Sequence, residues 1–164
     1  MCSNNSKHSL KVIAIQCDNG SEYKPFVPVA QEVGINMRFA CPYTSVQNGR
    51  AEQKHRHIVE MGLMLLAYAG MPLKYWVDAF QYAVYLINRL PTPVLGEETP
   101  LFRLKKTEPD YMSLQDFGCA CFPCLKPYNA HKFQFHSAKG VYIGLASHQK
   151  GYNCLSATGT VFVS

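Results

Sequence analysis

Lys11-Val-Ile-Ala-Ile-Gln-Cys17-Asp18-Asn19-Gly20 is a short apolar run that ends on an acid and a turn. Residues 11–17 read as a strand, and Asn-Gly is a turn pair. Working outward, residues 26–33 read as a short helix in spite of Pro25 and Pro28. Gly34 breaks it, and Ile35–Phe39 alternates apolar and polar as a second strand. Cys41–Gly49 reads as a loop punctuated by Pro42 and Asn48-Gly49.

From Arg50 to about Tyr68 the pattern is helical. Ile58, Met61, Leu65 and Ala69 mark one apolar face, and Val59, Leu63 and Leu66 widen it, so the far half should be buried on several sides. The near half is polar and basic. Gly70 closes this helix, and Pro72 suits the first turn of the next, expected over about Leu73–Leu90 with Trp76, Phe80, Ala83, Ile87 and Leu90 on one face. Thr99-Pro100 starts a short third helix. After Pro109 the period changes: 117–122, 140–145, 152–155 and 160–163 read as short strands of a small barrel or sandwich. Three segments follow: a polar tail over 1–10, an α/β part with trailing helices over 11–109, and a β module over 110–164.

Bulk properties narrow the class. Of 164 residues, 48% are apolar and 16% charged, a globular balance. No stretch reaches the roughly 18 uncharged apolar residues that a membrane span needs, and the polar N-terminus lacks the apolar segment of a signal peptide. Seven irregularly spaced cysteines without a secretion signal suit a reduced, intracellular setting. The net charge of +5 permits an acidic partner, and Arg50, Lys54, His55, Arg56 and His57 gather cations around the single acid Glu52.

Two acids stand out by position: Asp18 at a strand end before a turn, and Glu52 in a first helical turn after a loop. Converging carboxylates can hold Mg²⁺ for phosphoryl transfer. Arg56 lies four residues past Glu52 on the same side of the helix, with Lys54 and His57 on neighbouring faces. The simpler reading makes Asp18 a turn-former and Glu52 a partner of the helix dipole.

The wording around these residues adds to their position. Cys17-Asp18-Asn19-Gly20-Ser21-Glu22-Tyr23 resembles the segment around the second catalytic Asp of copia-type and retroviral integrases. Pro42-Tyr43-Thr44-Ser45-Val46-Gln47-Asn48-Gly49-Arg50-Ala51-Glu52-Gln53-Lys54-His55-Arg56 resembles the loop and helix that carry their catalytic Glu. The resemblance continues through Met71–Trp76, Leu86–Thr92, Phe117–Pro123 and His148–Tyr152, nearly the whole chain from Lys11. It is to the integrase region of a copia-type (Ty1/copia) retrotransposon Pol polyprotein, truncated at its N-terminus.

That resemblance implies a partial RNase H-like core lacking its first strands, followed by helices and a small SH3-like β module. It implies DNA integration by metal-dependent polynucleotidyl transfer, with Asp18 and Glu52 as catalytic acids and as ligands of Mg²⁺ or Mn²⁺. Tyr43, Gln47, Asn48, Arg50, Lys54 and Arg56 would meet DNA, either retroelement cDNA ends or target. A nuclear location and a homo-oligomer are compatible with it, and no membrane partner is implied.

Departures from the family pattern shape the expectation. No Asp or Glu precedes Asp18 to act as the first catalytic acid, and the zinc-binding His/Cys segment is absent. Strands 11–17 and 35–39 would lack neighbours, leaving open edges. The spacing from Asp18 to Glu52 is slightly short, with the shortfall in Lys24–Gln31. The 164 residues are therefore expected to be inactive alone. The alternatives are a non-catalytic DNA-binding or protein-interaction module, and a decayed element. A zinc site at Cys119, Cys121 and Cys124 lacks a second paired knuckle, so core packing is the preferred reading of Cys119 and Cys121.

Overall fold

The computed structural model describes residues 11–18, 20–40, 49–146 and 150–164. The chain divides into two compact units, Met1–His55 and Arg56–Ser164.

In the first unit, β1 (Ala14–Cys17) and β2 (Asn36–Phe39) pair in parallel, with Ala14 opposite Asn36 and Cys17 opposite Phe39. Parallel neighbours need a crossover, and the connection here carries a 3₁₀ turn (Ser21–Tyr23) and α1 (Phe26–Glu32). Pro25 sits at the N-cap of α1 and Pro28 in its first turn, where a backbone N–H has no intrahelical acceptor, so neither breaks the helix. Gly34 ends it at φ +74°, a left-handed conformation that favours glycine. Among the described residues this sheet has two strands, and Val12, Ile13, Val29, Val33 and Phe39 around it are exposed.

Helix α2 (Gly49–Tyr68) matches the expected span. It stops in a Schellman motif: Met71 N–H donates to Leu66 O at 2.9 Å and Gly70 N–H to Ala67 O at 3.1 Å, with Gly70 at φ +62°. Its far half is less buried than the pattern implies. Gly62 and Leu66 are buried, whereas Leu63, Met64 and Tyr68 are exposed.

The next helix is shorter and turned relative to expectation. A 3₁₀ turn (Leu73–Tyr75) leads into α3 (Trp76–Ile87), which buries Ala79, Tyr82, Ala83 and Ile87. The expected stripe holds at Ala83 and Ile87, with Phe80 half-buried, and is corrected at its two ends, where Trp76 and Leu90 stay 50% and 44% exposed. The small side chains of Ala79 and Ala83 let this face approach the rest of the unit closely. Helix α4 (Pro100–Lys105) begins at Thr99, whose Oγ1 accepts from Phe102 N–H at 3.1 Å, with Pro100 at the first helical position.

The four expected strands form one antiparallel sheet in chain order: β3 (Ala120–Cys121), β4 (Gly140–Leu145), β5 (Tyr152–Ser156) and β6 (Val161–Val163). Of the strand expected at 117–122, only Ala120–Cys121 is extended, because Gly118 turns the chain at φ +87° just before it. The register shifts between Tyr142 and Gly144, and both Tyr142 and Ile143 are buried.

The core of this unit joins helices to sheet: Leu66, Ala79, Tyr82, Phe117, Tyr142, Ile143 and Leu155 pack together. Tyr82 is its aromatic hub. Its ring stacks on Tyr85 at 5.7 Å and meets Tyr142 edge-on at 5.6 Å. Its hydroxyl donates to Gln115 O. The change of sequence period near residue 110 thus falls inside a single hydrophobic core.

Candidate functional site

Asp18 follows directly after β1 and is exposed. Its Oδ1 accepts from Gly20 N–H at 3.3 Å, the local bond of an Asx turn. The strand before it is anchored by Cys17, a buried residue whose Sγ lies 3.8 Å from Arg38 O. Burial, and then the neighbouring Asp18 carboxylate, push the Cys17 thiol pKa up, so this cysteine is a packing group. The Glu22 carboxyl folds back over Gly20, 2.7 Å from where a β-carbon would stand. The sequence reading assigned Glu22 no role; its signal was its place four residues after Asp18 in the same turn.

Glu52 lies in the first turn of α2 and is exposed, as are Arg50, Lys54 and Arg56. At about 100° per residue, Arg56 falls about 40° from Glu52, on the same side of the helix. Lys54 falls about 160° from Glu52, with Arg50 and His57 beside it. Lys54 and His57 therefore occupy the side opposite Glu52, not faces next to it. Among the described residues the ion pair formed is Arg103–Glu98, at 3.3 Å, and neither Glu52 nor Arg56 takes part in one. Tyr43, Gln47 and Asn48 lie outside the described residues.

A divalent metal needs hard oxygen donors, and Asp18 and Glu52 have that chemistry. Among the described residues, however, no group of three His, Cys, Asp or Glu side chains comes together to hold a metal ion. A three-acid centre is thus not assembled from them. The same observation covers the cysteines of the sheet. Cys119, Cys121 and Cys154 line a cleft of about 230 Å³ with Tyr142 and Tyr152. Burial, and then Cys154 beside it, push the Cys121 thiol up to about 12. It is protonated at neutral pH, which suits packing over metal or nucleophile chemistry.

Relatives give the arrangement its family. The Retrovirus-related Pol polyprotein from transposon RE1 of Arabidopsis thaliana is 46% identical over 148 residues, 90% of this chain. The polyprotein from transposon RE2 of the same plant is 42% identical over 160 residues, 97% of the chain. The chain is homologous to a segment of copia-type retrotransposon Pol polyproteins. The Pol polyprotein from transposon TNT 1-94 of Nicotiana tabacum is 33% identical over 87% of the chain. This Pol segment spans about a tenth of its relatives' length, 10% of the RE1 polyprotein and 11% of the RE2 and TNT 1-94 ones. Residues 119–164 match the retroviral polymerase SH3-like domain family, which covers the whole antiparallel sheet from β3 to β6. Among the described residues, no helix is long and apolar enough to cross a membrane.

Proposed function

We propose that this Pol segment belongs to the integrase region of its retrotransposon and that it binds DNA. Asp18 and Glu52 are two carboxylates of the metal site, and β1, α1, β2 and α2 are part of an RNase H-like core. The observation that carries the reading is the display of Asp18. A strand paired in parallel with β2 ends at it, and the residue is exposed. Glu52, in the first turn of a long helix, is equally accessible. When bound, a divalent ion would supply the polarisation that phosphoryl transfer needs. The residues' own contributions are oxygen donors from Asp18 and Glu52, and positive charge for phosphates from Arg56 on the Glu52 side.

On this reading these 164 residues supply two acids of a three-acid set and hold DNA beside them. Calorimetry with Mg²⁺ and Mn²⁺ on the folded chain tests the metal site. Binding lost in both Asp18→Asn and Glu52→Gln supports it. A folded wild type that binds no metal, or variants that bind as well as wild type, would remove the metal site from the reading.

A second reading is a DNA-binding module without catalysis. It is favoured by the Asx-turn bond of Asp18, which gives that carboxylate a structural task, and by exposed Arg50 and Lys54 on the side away from Glu52. On this reading DNA binding is salt-dependent, falls on Lys54→Ala, and is indifferent to Asp18→Asn.

A further inference from the structure

Charge is unevenly spread along the chain. All 11 Asp and Glu residues lie before Phe117, whereas Lys126, Lys132, Lys139 and Lys150 follow it with no acid among them. The charged side chains of the SH3-like segment are therefore all basic, which favours an anionic partner. The long connection from β3 to β4 adds a second feature. Phe133 and Phe135 are 90% and 89% exposed, and Phe122 is 69% exposed. The Phe133 and Phe135 rings, two residues apart in this connection, are among the most exposed large side chains of the described residues.

The connection is held in shape. Leu125 N–H donates to His136 O at 2.7 Å, Asn129 Nδ2 to Phe135 O at 3.0 Å, and Ala130 N–H to Gln134 Oε1 at 2.9 Å. Tyr128 pins it to β6, with its ring 5.0 Å from Phe162 and its hydroxyl donating to Val163 O at 3.2 Å. The two phenylalanines are thus presented by a bonded backbone, and the Lys132 ammonium sits 5.2 Å from the centre of the Phe133 ring.

We propose that this loop is a binding site for unpaired DNA, with bases stacking on Phe133 and Phe135 and the backbone phosphates meeting Lys132 and Lys126. Aromatic platforms within a positive surface bind single strands because every base has a face to stack, whereas in a duplex those faces are covered. The inference rests on the proposed DNA function only for the choice of DNA over RNA. It involves neither Asp18 nor Glu52, so loss of metal binding leaves it standing.

Fluorescence anisotropy on the full chain tests it, with labelled oligothymidylate, a duplex, and oligouridylate as probes. The wild type should prefer the DNA single strand. Phe133→Ala with Phe135→Ala should weaken that binding roughly tenfold or more while changing duplex binding little. Lys132→Ala should reduce the salt slope on the single strand by about 0.7. Both rings are solvent-exposed, so the double variant keeps its packing, and an unchanged circular dichroism spectrum checks this. Equal losses on single strand and duplex, no single-strand binding at all, tighter binding of oligouridylate, or a preference for anionic phospholipid vesicles would each overturn the proposal.

Discussion

The Phe80 ring of α3 occupies the space that a β-carbon on Gly62 of α2 would fill. Gly62 is buried in mid-helix, where glycine costs about 1 kcal/mol relative to alanine. Here the missing side chain is what lets the two helices meet. Trp76, on which a displaced ring would press, packs edge-on against the Phe80 ring at 5.5 Å. Gly62→Ala is therefore expected to destabilise the fold by about 1–3 kcal/mol, the cost of overpacking, although the same change in an open helix would stabilise it. Urea denaturation at unchanged slope reads this directly, and a more stable alanine variant would contradict the contact.

Tyr82→Phe keeps the aromatic hub and removes the hydroxyl that donates to Gln115 O. Gln115 is exposed, so water can satisfy the carbonyl left behind. The same hydroxyl also bonds that of buried Tyr142, which loses a partner, so the expected loss is about 1–3 kcal/mol. A variant as stable as the wild type would mean that neither bond contributes to the fold.

Thr99 is buried and caps α4 through Phe102 N–H. Thr99→Ala should cost about 1–2 kcal/mol, and Thr99→Ser should recover most of it, because the oxygen makes the cap. If serine is as damaging as alanine, the methyl group's packing matters and the cap does not.

The helices and strands were readable because turn residues bracket them, as Gly34 and Gly70 do with positive φ. Which face each helix buries was less readable. Periodicity finds an apolar stripe on α3, but the choice of Ala79 and Tyr82 over Trp76 depends on how closely the sheet approaches, a tertiary matter. Strand β3 shrank because the turn at Gly118 acts before the apolar alternation can extend. At the candidate site, the exposure of Asp18 and Glu52 was legible from a strand end and a helix start. Whether two acids 34 positions apart in sequence converge is a long-range property that local pattern does not encode. Phe133 and Phe135 fall between the expected strands 117–122 and 140–145, and the sequence reading assigned them no role.

Alkaline pH should loosen the second unit. Burial raises the pKa values of Tyr82 and Tyr142 above the ordinary 10.0 and those of Cys119 and Cys121 above 9.0, with Cys121 reaching about 12. Below about pH 8 both folded and unfolded chains hold these protons, and the stabilisation is complete. Above it the unfolded chain releases them first, so stability falls as pH rises toward 12. The denaturant midpoint should drop between about pH 8 and about pH 10.5, and Cys121→Ala should flatten the decline. A constant midpoint over that interval would show that these groups titrate normally.

The two sides of α2 give the last prediction. Arg50 and Lys54 share one side, and Glu52 and Arg56 share the other, so Lys54 and Arg56 cannot neutralise the same phosphate. On the proposed DNA-binding function, Lys54→Ala should weaken duplex binding and lower the salt slope by about 0.9, with or without metal. Arg56→Ala should weaken it chiefly when Mg²⁺ is present, because its phosphate would approach only where a metal at Glu52 offsets the carboxylate's repulsion. Titrations of both variants across salt, with Mg²⁺ and with chelator, separate the two sides. Equal losses for both variants in chelator would mean that DNA embraces the helix from both sides, and the division of α2 into a phosphate-binding side and a metal side would be wrong.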